Sequence, residues 1–559
     1  YMLNRRDLLR AGALGGGFAM LPGSRAFALP AFLESGSGNL PPSPSTTPFV
    51  APLTFPPQAT TVAPFAPVDA SLPPQSLIAP AYYHVIDEQR FLQVHPQLPP
   101  TKLWGYRDAN VPAGTWPHAL GPTFVGKALH PLFVRHTNAL PANHVGFGVP
   151  EMTVHLHGGH HEARSDGFPG PGGGLNPLFH PGESYDYAYP LLDPGFAHGA
   201  ADATDRPSTM WYHDHLLDFT GPNVYRGLAG FFLFQDAVDA LDENLNDGVN
   251  LRLPSGQHDL PLMIQDKRFD TAGQLVFDPF NHDGLLGDKY LVNGTIQPFT
   301  LVKRRKYRLR LLAATNARFF DFRIVRANGQ TVPFDVIATE AGLMSAPVRN
   351  RTSLFMGPAE RFDIVVNFAS FPAGEKLYLE NRARQDDGRG PNGTLDQPVR
   401  VLQFRVEGGA VVDPSRVPDV LRPFAAIAQA EINAATRRTF VFERRNGAWV
   451  VNGEFVDLNR SVANCVRNRG EVWRLVNKGG GWWHPIHVHL EFMHVLRRNG
   501  KTPPILERDG QAKKDVINLG PNETVEVFFK FRDFPGPWVF HCHNIEHEDA
   551  FMMARFDVL

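Results

Sequence analysis

The 559-residue chain reads as all-β, in three successive β-sandwich domains, on three observations. Its 51 glycines and 50 prolines suit many short strands joined by turns better than they suit helices. One turn-plus-strand pattern then occurs three times, at Pro181-Gly182-Glu183-Ser184-Tyr185-Asp186-Tyr187, Pro358-Ala359-Glu360-Arg361-Phe362-Asp363-Ile364 and Pro521-Asn522-Glu523-Thr524-Val525-Glu526-Val527. Each copy opens on a turn and then alternates apolar with polar residues, the mark of a half-buried strand. Each is followed at similar distance by a second apolar strand, at Trp211-Tyr212-His213, Leu377-Tyr378-Leu379 and Val539-Phe540-His541. Asn293-Gly294 and Asn452-Gly453 open matching tight turns.

Taken in order, residues 1–28 read as an export signal. Asn4-Arg5-Arg6-Asp7-Leu8-Leu9 has the form of a twin-arginine motif, a mild apolar stretch runs from Ala11 to Leu21, and Ala26-Phe27-Ala28 offers a cleavage site. That stretch is too short and glycine-rich to anchor a chain in a membrane. The mature protein is therefore expected to lack a membrane span and to act in the periplasm or outside the cell. Residues 29–78, rich in Pro, Ser, Thr and Ala, are expected to form an extended, poorly ordered leader. The three sandwiches follow at 79–245, 246–410 and 411–559. The first and third copies carry His-x-His on the later strand of the repeat, where the second has Leu379-Glu380-Asn381. The second domain therefore brings no ligands at this position and is expected to act as a spacer.

The chemistry is concentrated in His541-Cys542-His543-Asn544-Ile545-Glu546-His547, followed by Met552. Thiolate, imidazole and thioether at this spacing form the ligand set of a blue-copper electron-transfer site. Side chains alternate across a strand, so Cys542 faces one way while His541 and His543 face the other. His484-Pro485-Ile486-His487-Val488-His489 repeats the pattern. His487 and His489 share a face, and His484, at an odd offset, takes the opposite one to join Cys542 and His547. Two more pairs, His155/His157 and His213/His215, have the same two-residue spacing. Eight histidines are thus expected at one centre, and two histidines, a cysteine and a methionine at the other. A lone His-x-His pair is weak evidence for metal, but four pairs interlocked with a Cys/His/Met set are not coincidence.

These segments resemble those of the multicopper oxidases of the three-domain laccase type, most nearly the branch of bilirubin oxidases and bacterial spore-coat laccases. Trp211-Tyr212-His213-Asp214-His215, Asn223-Val224-Tyr225 with Gly227-Leu228-Ala229-Gly230, and His547-Glu548-Asp549 before Met552-Met553 carry the resemblance. So do Leu103-Trp104-Gly105-Tyr106 and Arg305-Lys306-Tyr307-Arg308, and the likeness runs from about residue 80 to the C-terminus. It implies three cupredoxin-like, Greek-key β-sandwich domains and four copper ions. A type 1 copper would rest on His484, Cys542 and His547 with Met552 as weak axial ligand. A type 2 copper would take His155 and His487, and a type 3 pair His157, His213, His215, His489, His541 and His543. A small-molecule donor would give electrons singly at the type 1 site, and dioxygen would be reduced to water at the other three coppers. Asp166 and Glu548 match positions that relay protons in spore-coat laccases. Read locally, Asp166 is a turn residue in Ser165-Asp166-Gly167 and Glu548 a solvated charge.

The remaining composition narrows the alternatives. With 54 basic and 56 acidic residues and net charge −2, the chain is not built for nucleic acid or a strongly anionic surface. Two cysteines leave no disulfide framework; Cys465 is expected to be a buried free thiol. Phenols or aromatic amines are the expected donors, with Mn(II), Fe(II) or Cu(I) as the alternative. Only 10 methionines occur, unclustered outside the Met552 region, which disfavours Cu(I). A non-enzymatic exported structural protein of the same fold would be expected to have lost ligands, and all twelve stand. Trp482 is placed either at the rim of the type 1 site or in the core, and residues 501–514 are expected to border that pocket. His130, His136, His144, His160, His161 and His494 are expected to be structural or exposed, and the protein a monomer.

Overall fold

The computed structural model describes residues 40–409, 411–445 and 447–559; the expected export signal and the leader up to residue 39 lie outside the described residues. The three repeated strands are Ser184–Tyr189, Arg361–Asn367 and Thr524–Lys530. Each pairs antiparallel with an earlier strand, Leu132–Ala139, Lys306–Ala313 and Gly470–Asn477 respectively. Each of those in turn runs parallel to a still earlier one, Ala81–Leu92, Asp259–Lys267 and Thr436–Arg445. The facing sheets repeat as faithfully. Thr209–Asp214, Lys376–Arg384 and Gly536–Cys542 lie antiparallel to the strands that follow them, Ala229–Gln235, Gly393–Val406 and Met553–Val558. Those pair parallel with Phe124–Lys127, Phe299–Val302 and Ser461–Cys465. A parallel pair cannot be joined by a hairpin, so each domain carries crossover connections between its two sheets. Among the described residues the sheets have four and four, seven and six, and five and five strands in the three domains.

Alternation along these strands makes the cores. In the third domain Trp473 and Leu475 point inward from Gly470–Asn477 while Arg474 is exposed. The Trp473 ring meets Phe440 at 4.6 Å and Phe529 at 4.7 Å on its own sheet. Across the sandwich it meets Phe540 at 5.3 Å and Phe556 at 5.4 Å. This aromatic packing fixes the facing of Gly536–Cys542, because Phe540 and Cys542 enter the same core. In the middle domain Leu377 and Leu379 fill the core. The outward neighbour Glu380 pairs instead with Arg382 at 2.8 Å and Arg400 at 3.8 Å.

The expectation of a disordered leader over 29–78 is corrected for residues 40–78. This stretch is extended, as its composition requires, but docked. Leu53 is buried in the middle-domain core, its N–H donating to Phe299 O at 2.7 Å while Phe299 N–H donates to Ala51 O at 2.9 Å. Further on, Ala59 N–H reaches Thr123 O and Val62 N–H reaches Tyr82 O, both at 2.8 Å. Prolines interrupt the donor row and prevent a continuous strand, yet the residues between them pair with edges of both domains. Leu53→Ala should therefore destabilise the protein by about 2–5 kcal/mol, read as a lower denaturation midpoint. Limited proteolysis of the native protein should leave residues 50–62 uncut; cleavage there would contradict docking.

Candidate metal centre

Ile486 lies opposite Cys542 and His487 opposite His541 where His484–Val488 pairs with Gly536–Cys542. Cross-strand partners share a face, so His484, two residues from Ile486, stands on the Cys542 side and His487 on the other. The short helix Ile545–Asp549 then returns His547 to Cys542. The sulfur lies 3.6 Å from Nδ1 of both His484 and His547, and those nitrogens are 3.1 Å apart. A point about 2.0 Å from all three atoms exists within this triangle, a metal–imidazole bond length. Met552 is fully buried in the same core, and its carbonyl accepts the Cys542 N–H at 3.0 Å. His547 Nε2 donates to Asp283 O at 3.1 Å, and Trp449 covers the His547 ring at 4.0 Å. Burial pushes the Cys542 thiol well up and His484 down to about 3.

On the opposite face a second group spans two domains. Val154–His157 pairs with Thr209–Asp214 so that His155 lies opposite His213. All eight histidines are buried, and most are held by the nitrogen that faces away from the group. The Nδ1–H groups of His155, His213 and His487 donate to the carbonyls of Asp166, Asp214 and Asp515 at 2.6, 2.7 and 2.8 Å. Their Nε2 atoms have no hydrogen-bond partner among the described residues, nor does either nitrogen of His543. His157 is reversed. Its Nε2 faces Asp515 Oδ1 at 3.4 Å and its Nδ1 is the unpartnered atom.

His215 Nε2 and His489 Nε2 each lie 3.2 Å from His541 Nε2, so these three acceptors converge as they would around a shared cation. His155, His157 and His213 converge in the same way, as do His155, His487 and His489. The His543 ring stands 5.2 Å from His157 and 5.6 Å from His213. Burial, then crowding by the other imidazoles, holds His487, His489 and His215 far below the ordinary histidine range. Neutral imidazoles aimed inward fit a transition metal.

Two carboxylates touch these histidines. Asp166 follows a single turn at Ala163–Ser165, and its Oδ2 accepts from His489 Nδ1 at 2.6 Å. Glu548 Oε2 lies 2.9 Å from His541 Nδ1, and its Oε1 3.7 Å from His215 Nε2. Glu548 is 1% exposed, so it is not a solvated charge.

The structure also decides between the two places open to Trp482 and corrects the expectation for residues 501–514. Trp482 is 5% exposed and packs edge-on to Trp449 at 4.9 Å, so it is a wall of the Cys542 group. Residues 501–514 strap the third domain to the middle one. Ser345 donates to Gly510 O at 2.8 Å, Gln511 to Ala346 O at 2.6 Å, and Lys514 pairs with Glu340 at 2.8 Å. Lys514 is drawn there by buried carboxylates. The Cys542 group is bordered instead by Asp283, whose carbonyl holds His547, and by Arg389, stacked over Trp482. The residues outside the motifs include His136, His160 and His494, which pair with Asp87, Asp533 and Asp509 at 2.9, 2.8 and 2.8 Å. Sequence reasoning missed Glu546, whose Oε1 accepts from Asn316 Nδ2 at 2.6 Å and Oε2 from Leu285 N–H at 3.1 Å. It also missed Asp515. Both act through partners far away in the chain, and no local pattern marks them.

The family model described as "Multicopper oxidase" matches residues 427–559. A bilirubin oxidase of Albifimbria verrucaria is 34% identical over 486 residues, covering 85% of this chain and 76% of that protein. A laccase of Bacillus stratosphericus is 30% identical, covering 86% of this chain and 95% of that one. Among solved structures, the McoA multicopper oxidase from the hyperthermophile Aquifex aeolicus superposes with a TM-score of 0.70 at 25% identity. That match covers 90% of this chain and all of the other.

Metal removal should loosen the interface between the first and third domains. At free copper 1,000 times above a site's Kd, that site adds about 4 kcal/mol, so stripped protein should melt well below loaded protein in calorimetry. Loading the Cys542 group must displace one proton from a thiol that burial keeps protonated, while its histidines are already neutral. Its apparent copper affinity should thus rise about tenfold per pH unit across the neutral range. A chelator competition at pH 6 and pH 8 that shows equal affinities, once the chelator's own protonation is accounted for, would contradict this.

Proposed function

The chain belongs to the multicopper oxidase family, and on that premise we propose that it is a laccase-like enzyme holding four coppers. In this reading His484, Cys542, His547 and Met552 hold the type 1 ion, and His155 and His487 the type 2 ion. His157, His213, His215, His489, His541 and His543 hold the type 3 pair. The observation that carries it is the two-sided strand. Cys542 Sγ lies 3.6 Å from two imidazoles on one face, while the adjacent His541 belongs to the eight-histidine group on the other. With copper bound, the first site takes up electrons singly and the second reduces dioxygen by four electrons to two waters. Cys542 and its flanking histidines supply the covalent path between the two groups. Glu548 Oε2 stands 2.9 Å from His541 Nδ1, and Asp166 Oδ2 accepts the hydrogen bond of His489 Nδ1 at 2.6 Å, which places both where a proton could be passed on. Both lie within the first contact of the ligands, as delivery of protons to a buried reaction requires.

The rim favours an organic donor over a metal ion. A cation would need free carboxylate oxygens, yet Asp283, whose main chain borders the group, pairs through its carboxylate with Arg444 at 3.3 Å. Arg389 and Arg444 stand 5.3 and 5.5 Å over the Trp482 ring, a cationic, aromatic edge suited to anionic phenols and pigments. The bilirubin oxidase relative makes bilirubin an early donor to test. The twin-arginine-like motif supports export, action in the periplasm or beyond, and we take the protein to be a monomer. No described helix is long and apolar enough to cross a membrane.

Copper-loaded protein should be blue, with a near-ultraviolet shoulder, and consume oxygen with a phenol, an aromatic amine or bilirubin. Colourless loaded protein would refute the reading, and uptake with Mn(II) or Fe(II) alone would refute the donor assignment. Glu548→Gln should slow oxygen reduction on the order of 10²-fold with the blue absorption intact; unchanged turnover would remove Glu548 from the proton path. Arg389→Ala should raise KM for an anionic donor several-fold, about 1 kcal/mol, and leave a neutral phenol unaffected.

A further inference from the structure

Arg361 is the first residue of a middle-domain strand, yet its side chain is fully buried between the other two domains. Its guanidinium grips Asp515 of the third domain with both ends, Nη1 to Oδ1 at 2.8 Å and Nη2 to Oδ2 at 2.6 Å. Its Nε donates to Thr209 O of the first domain at 3.0 Å, the start of the strand that carries His213. Nη1 also donates to Ala359 O at 3.1 Å and Nη2 to Glu340 O at 3.5 Å, so this planar fork has a partner in each direction. Gly158, directly after His157, makes the approach possible. It adopts φ +91°, and a Cβ there would stand 2.8 Å from Arg361 Nη2.

Asp515 passes this anchorage to two ligands. Its carboxylate faces His157 Nε2 at 3.4 Å, and its main-chain oxygen accepts from His487 Nδ1 at 2.8 Å. Of the six histidines of the group whose outward nitrogen meets a carbonyl or carboxylate, His157 alone presents Nε2 outward, and Asp515 is the group that holds it so. A partner on the remote nitrogen of a ligand histidine sets its tautomer and ring orientation.

We propose that the middle domain is not a spacer but a positioning element: Arg361, through Asp515, sets the orientation of His157 and His487 and thereby retention of metal by the eight-histidine group. The inference rests on the four-copper reading above. It makes Arg361 and Asp515 positioning residues, remote from any donor.

The test compares full-length Arg361→Lys, Asp515→Asn and Glu340→Gln with wild type. Glu340 belongs to the same buried ion network through Lys514, but its side chain makes no contact with the histidines among the described residues. The readouts are copper per chain after dialysis against a chelator, the type 2 electron-spin signal, the near-ultraviolet shoulder, the blue absorption and the melting temperature of metal-free protein. Arg361→Lys and Asp515→Asn should keep the blue absorption while trinuclear copper affinity falls about 10–100-fold. Glu340→Gln should lower the melting temperature and keep the copper. Wild-type copper content and spin signal in both Arg361→Lys and Asp515→Asn would overturn the proposal. So would copper loss from Glu340→Gln matching theirs, or loss of the blue absorption along with the rest, since either shows general loosening. Wild-type protein lacking the type 2 signal and the shoulder would instead refute the four-copper reading itself.

Discussion

The alternation of one strand sets the whole design. Along Gly536–Cys542, Phe540 and Cys542 enter the core of the third domain, and His541 leaves it toward the first. A slip of one residue would send the sulfur out and the imidazole in, so neither group survives any other register. What locks the register is apolar. Trp473 packs against Phe440, Phe529, Phe540 and Phe556 from both sheets, and a shifted strand would expose those rings. The chemistry of the site is therefore held by packing that has no part in it.

The eight-histidine group imposes a cost that the rest of the interface must offset. Buried imidazole nitrogens without hydrogen-bond partners are unfavourable, so the first and third domains need other reasons to meet. Charged pairs supply some of them. Burial alone would raise Asp205, yet Lys513 and Arg532 hold it well below the usual carboxylate range. Asp533 accepts from His160 at 2.8 Å and from Gly195 N–H at 2.5 Å. Buried ion pairs add little net stability but penalise every wrong docking strongly. They suit an interface that must fix ring nitrogens to within tenths of an ångström.

Features with a short period were legible in the sequence. Two-residue spacing told which histidines share a face, and the thrice-repeated strands told the number of sandwiches, because both follow from the geometry of a single strand. Features that depend on a distant partner were not. Residues 40–78 have the composition of disorder, and distant neighbours such as Phe299, Thr123 and Tyr82 make them structure. Glu548, read locally a solvated charge and marked as a relay position only by resemblance, is turned inward by the helix Ile545–Asp549. Asp515 follows Lys513-Lys514 with no motif of its own, and its partner lies 154 residues away at Arg361.

The middle domain shows how far loss of ligands differs from loss of role. Its later repeat strand turns Glu380 outward to arginines where the other domains place histidines, which by itself describes a spacer. Its contacts say otherwise. Asp283 O accepts from His547 Nε2 and so fixes the tautomer that leaves Nδ1 facing Cys542. Asn316 and Leu285 hold Glu546, on the helix that carries His547. Arg361 holds Asp515, which backs His157 and His487. At least one acceptor or anchor from this domain thus reaches each group, behind the histidines rather than among the nitrogens that face inward. The outer contact of a ring sets which way its other nitrogen points, so a domain that contributes no side chain to either group still makes contacts that orient the histidines of the other two.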